Sequence, residues 1–111
     1  MKCAAIQMVS SPDVAENVQT AARLVRDAAA QGVELAVLPE YFCLLGRKDT
    51  DKLDIQENPG HGPIQEALAA MARDNGVWLV GGTLPLSTGV DGRVYNSTLV
   101  FDPQGLSLIH I

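Results

Sequence analysis

The chain has 111 residues, 47% of them hydrophobic, and a formal net charge of −5. That length bounds it to one domain with a modest core, and the composition excludes a disordered chain. The acidic balance argues against nucleic acid or an anionic membrane as partner, because both demand a basic face.

Residues 2–9 form a short apolar run that Gln7 interrupts and Ser10-Ser11-Pro12 stops, which predicts a strand followed by a turn. The run is too short for the core of a signal peptide or for a membrane span, and the chain is expected in the cytoplasm. Asp13 and Glu16 have capping-box spacing, and Val14, Val18, Ala21, Ala22, Val25, Ala28 and Ala29 then recur at helical intervals up to Gly32. A second apolar run, 33–38, ends at Pro39, so strand, helix and strand make a βαβ unit with parallel strands. Residues 40–61 keep no period and read as a long surface excursion. Gly62-Pro63 opens a second helix whose buried stripe is Ile64, Ala67, Leu68, Met71 and Ala72, with Gly76 as its end. Residues 77–83 read as one strand containing Gly81-Gly82, and residues 94–102 as another, separated by the turn-rich stretch 87–93. Pro103-Gln104-Gly105 turns the chain back. The order predicts an α/β layered fold with its helices on one face of the sheet.

Among residues able to do chemistry, Glu40 stands out. It follows the carboxyl end of a predicted parallel strand, where open α/β sheets place their ligand sites. Pro39 restricts its backbone, and Tyr41 and Phe42 could wall it with apolar surface, favouring a general base. Local features alone favour a solvated loop carboxylate. Cys43 lies three positions on, but Phe42, Leu44 and Leu45 flank it with bulk, whereas reactive thiols need accessible positive surroundings. Arg47 and Lys48 are the nearby cations. Cys3 and Cys43, lacking partners at metal-ligand spacing, read as reduced thiols in apolar settings. Neither Gly60-His61-Gly62 nor Gly81-Gly82 matches a phosphate loop; close backbone approach or a tight turn accounts for them, and His61 reads as a loop histidine.

Four blocks in order resemble the nitrilase superfamily of carbon–nitrogen hydrolases. They are Ala5-Ile6-Gln7-Met8 with Asn17 in the following helix; Gly32-Val33-Glu34-Leu35-Ala36-Val37-Leu38-Pro39-Glu40-Tyr41-Phe42; Gly62-Pro63 with Gly76-Val77-Trp78-Leu79-Val80-Gly81-Gly82-Thr83; and Val94-Tyr95-Asn96-Ser97-Thr98-Leu99-Val100-Phe101-Asp102. The resemblance implies the amino-terminal half of a four-layer αββα sandwich and a Glu–Lys–Cys triad, with Glu40 as its glutamate. It further implies a small-molecule amide substrate, no metal or organic cofactor, and a homo-oligomer as the full-length protein. The stretch 41–50 is similar to the branch of deaminated-glutathione amidases and omega-amidases, which implies a substrate bearing a carboxylate.

The family's lysine follows the turn matched by Asp102-Pro103-Gln104-Gly105, in a Lys-Ile-His-Leu segment. Here Leu108-Ile109-His110-Ile111 echoes that segment early, with Leu108 in place of lysine, and the family's cysteine is absent. Residues 106–111 can be encoded by a transposon end used in building sequencing libraries. The expectation is therefore a partial domain over 2–105, a non-native tail over 106–111, and no amidase activity in the fragment. The competing expectation is a short non-catalytic α/β binding or assembly module.

Overall fold

Three short apolar segments, β1 (Cys3–Ala5), β2 (Leu35–Val37) and β3 (Trp78–Val80), lie side by side and parallel in a computed structural model of the chain, which describes residues 1–46, 51–90 and 92–110. Helix α1 (Val14–Ala30) connects β1 to β2, and α3 (Pro63–Asn75) precedes β3. Asp13 caps α1 as its spacing predicts, its side chain accepting from the Glu16 N–H at 3.1 Å. Gly76 ends α3 in the left-handed conformation. Two further strands extend the sheet antiparallel, β6 (Leu99–Phe101) against β3 and β7 (Ser107–His110) against β6, giving the order β1-β2-β3-β6-β7.

Alternation along the strands sorts the side chains between two faces. Ala36, Leu79 and Phe101 share one register row and are buried with Leu99 in a core that includes Ala21 and Val25 of α1 and Ile64, Leu68, Met71 and Ala72 of α3, two helices that pack on each other. Full burial of a side chain such as Leu68 or Leu79 stabilises by about 1.5–3 kcal/mol, so this row and the helices form the core. The other face carries Cys3, Leu35 and Trp78 in one row and Ala5, Val37, Val80 and Val100 in the next. It is open: Val37 is 36% and Trp78 38% exposed. The helices thus cover one face, as the element order predicts.

Three expectations need correction. The strand predicted over 94–102 divides between two sheets, and residues 84–87, beyond the strand predicted over 77–83, form a further strand: β4 (Leu84–Ser87) and β5 (Val94–Ser97) pair as a separate antiparallel ribbon. Between β3 and β4 the chain turns at Gly82, whose φ is 64°. The stretch 40–61 is not a plain surface excursion, because Phe42, Cys43 and Leu44 turn into the core. It also contains the short helix α2 (Asp51–Asp54), and Glu57 bridges to Leu86 of the ribbon. Finally, Cys3 is exposed rather than packed, since it sits on the open face. Arg47 and Lys48 lie outside the described residues, as do Asp49 and Thr50.

Candidate active site

Just past the end of β2 the chain is braced by hydrogen bonds from several elements. The Leu38 N–H donates to the Val80 carbonyl at 2.9 Å, prolonging the β2–β3 ladder by one residue. Pro39 has no N–H to continue it. The chain then turns tightly, with the Phe42 N–H on the Pro39 carbonyl at 3.2 Å and the Leu44 N–H on the Tyr41 carbonyl at 3.3 Å. Glu40 rides this turn with its side chain exposed. The apolar walls expected of Tyr41 and Phe42 do not form around it: Phe42 is in the core and Tyr41 is half-buried. The turn needs those side chains for its own anchorage. Beside it, an open groove lined by Ile6, Gln7, Met8, Val9 and Pro39 runs along the carboxyl ends of β1 and β2.

Tyr41 is the one non-glycine residue with positive φ among the described residues, at 47°. Such a conformation costs on the order of 1–3 kcal/mol and persists only where its surroundings impose it. Here its N–H donates to Thr83 Oγ1 at 2.8 Å, its hydroxyl bonds Asn96 Oδ1, and the Lys52 ammonium sits 4.0 Å from its ring centroid. Burial, and then the charges of Cys43 and Glu40, push the phenol above its ordinary value, so it stays a donor at neutral pH. Gly82 lies against the same turn. A Cβ there would come 2.2 Å from the Pro39 carbonyl oxygen, so the close backbone approach expected of Gly81-Gly82 is realised at Gly82.

The turn is held from the other side by the loop after β1. Asn17, fully enclosed in α1, donates from Nδ2 to the carbonyls of Ser11 at 2.7 Å and Cys43 at 2.8 Å, and accepts from the Ser11 N–H at 2.8 Å. Ser10 Oγ donates to the Phe42 carbonyl at 2.7 Å, and the Leu45 N–H to that of Ser11 at 3.0 Å. Cys43 is therefore an enclosed structural thiol. Burial pushes it up to about 12, with the Glu57 charge adding to the rise, and so removes it as a nucleophile. His61 is an exposed loop residue, and no three His, Cys, Asp or Glu side chains form a metal-binding group among the described residues.

Thr83, Asn96 and Glu57 were not singled out as site residues from the sequence. Thr83 and Asn96 fall inside quoted blocks, yet their partner Tyr41 lies 42 and 55 positions away, beyond any local pattern.

The family model for carbon–nitrogen hydrolases matches residues 2–109. The chain belongs to that family. This carbon–nitrogen hydrolase chain is 37% identical over 106 residues to the deaminated glutathione amidase of Synechocystis, covering 95% of itself and 38% of that protein. To the omega-amidase NIT2 of Xenopus tropicalis it is 31% identical, covering 94% of itself and 36% of the relative. The chain thus spans a little over a third of these curated relatives. Among solved structures, a Saccharomyces cerevisiae member of the nitrilase superfamily matches with a TM-score of 0.79 at 28% identity, over 92% of this chain and 39% of that one. An amidase from Nesterenkonia sp. AN1 matches with a TM-score of 0.82 at 22% identity, over 99% of this chain and 42% of that one, a likeness of fold. The α/β structure is part of the nitrilase-superfamily fold.

Proposed function

We propose that the chain is the amino-terminal part of a cytoplasmic, homo-oligomeric amidase that converts a small carboxylate-bearing amide to a carboxylic acid and ammonia. In this reading Glu40 is the general base, and a lysine and a cysteine come from sequence beyond this chain. Glu40 takes the thiol proton as the sulfur attacks the amide carbon, and passes it to the departing ammonia, leaving a thioester. It then takes a proton from water, whose oxygen displaces the sulfur to give the acid and restore the thiol. The lysine stabilises the oxyanion formed at each attack.

The observation that carries the reading is Glu40 at the carboxyl end of a parallel strand, on a turn held from both sides by hydrogen bonds. Two relatives are named as amidases of this kind. The test is ammonia release from small amides, with and without a carboxylate, by the full-length protein. Glu40→Gln is expected to lower kcat by about 10²–10⁴-fold. A variant retaining more than a tenth of wild-type turnover removes Glu40 from the chemistry. The 111-residue chain alone is expected to release no ammonia.

Residues 106–111 are, on this reading, a non-native tail. An exposed sheet edge pairs readily with any extended segment, so the pairing of β7 with β6 is compatible with either origin. Sequencing the source DNA across codon 105 decides: native code for the same six residues ends the tail proposal.

A further inference from the structure

We propose that Thr83 is a positioning residue for Glu40, its hydroxyl fixing the direction in which the Glu40 side chain leaves the backbone by pinning the peptide group that follows it. The two soft torsions of Glu40 are set by the two rigid peptide planes on either side of its Cα. The plane before it contains the Pro39 carbonyl, which accepts from the Phe42 N–H at 3.2 Å and has the Gly82 backbone packed directly on it. The plane after it contains the Tyr41 N–H, which donates to Thr83 Oγ1 at 2.8 Å. Holding that N–H fixes the ψ of Glu40 and the φ of Tyr41 together. The positive φ of Tyr41 means the turn would relax without such a restraint. Thr83 is well placed to supply it. It immediately precedes β4, whose partner β5 carries the Asn96 that bonds the Tyr41 hydroxyl, so both ends of Tyr41 are tied to one ribbon. Gly82 and Thr83 thus each hold one of the two planes, and the ribbon braces the backbone from which the carboxylate extends.

The inference rests on Glu40 being the base, and the experiment separates the two. In the full-length enzyme, Thr83→Val keeps the side chain's shape and removes the acceptor, whereas Thr83→Ser keeps the acceptor. Thr83→Val is expected to lower kcat by about 10–100-fold with KM changed by less than about threefold, because misplacing a reacting group by about 1 Å costs rate on that scale. Thr83→Ser is expected to stay within about threefold of wild type. On the Glu40→Gln background, Thr83→Val should add no further loss, since the two act as a unit. Thr83→Val with wild-type kcat, Thr83→Ser as impaired as Thr83→Val, or a kcat loss no larger than the loss of folded protein seen by circular dichroism would each overturn the proposal. If Glu40→Gln stays active, the base assignment fails first. If Glu40→Gln is inactive and Thr83→Val is not, only the positioning role fails.

Discussion

At the scale of single residues, neighbours along the chain have opposite fates. Glu40 is exposed to solvent, while Cys43, three positions on, is buried in the core along with Phe42 and Leu44. The thiol ionises near pH 9 when unfolded and is pushed up to about 12 in the fold. A raised folded value means that the contribution to stability is complete below about pH 9 and is lost as pH climbs toward 12. Iodoacetamide at about pH 8.5 is therefore expected to label exposed Cys3 in the native protein and to reach Cys43 only after denaturation. Native labelling of Cys43 at a rate matching Cys3 would mean that it is not enclosed. The bulky flanks made this thiol's inertness legible in the sequence. Asn17 was visible only as a feature shared with a family. Its reason, bonds to the backbone of residues 11 and 43, depends on partners that no helical period displays.

At the scale of elements, both long helices were legible because period and end signals agree: Asp13 and Gly32 around α1, Pro63 and Gly76 around α3. The hidden part was how α3 is capped. Gly62 offers no side chain, and the carboxylate of Glu57 does the work from five residues upstream. It accepts from the Ile64 N–H at 2.6 Å, the Gln65 N–H at 3.0 Å and Gln65 Nε2 at 3.1 Å. It fills the space where a Cβ at Gly62 would sit, 2.4 Å from the Glu57 carboxyl carbon. Its own backbone meanwhile pairs with Pro85 and Ser87 of the ribbon. Glu57→Ala should cost about 2–3 kcal/mol, leaving buried donors unmet, against about 1 kcal/mol for Asp13→Ala at the exposed cap of α1. Urea unfolding of the two variants checks this, and equal costs would remove Glu57 from its capping role. The division of the 94–102 strand between sheets, and the strand at 84–87, escaped the sequence for a related reason. Alternation looks the same whether a strand stays in one sheet or crosses to another, and the φ of Gly82 marks only the turn between β3 and β4.

At the scale of the whole molecule, the smallest dimension is 18 Å, enough for one helix layer on one sheet layer. The radius of gyration, 13.3 Å, is nonetheless that of a folded domain of this length, about 13 Å. The packed side was legible because helical stripes and strand alternation point the same way. What covers the other side was not, since Val37, Val80 and Val100 would read identically against water or against another layer. Expressed alone, the 111-residue chain should self-associate through this face, and Val37→Thr with Trp78→Thr should shift it toward monomer in sedimentation velocity. A monodisperse monomer before any substitution would contradict this. Leu79→Ala, one residue along β3 but on the packed side, should instead cost about 2–5 kcal/mol of folding stability. The position of Trp78 has an optical corollary. It is the chain's single tryptophan and stands on the open side of the sheet, away from the helices. Its fluorescence therefore responds to whatever comes to lie on that side: a blue shift marks a second layer docking over it, while loosening of the helical core beneath leaves its colour largely unchanged.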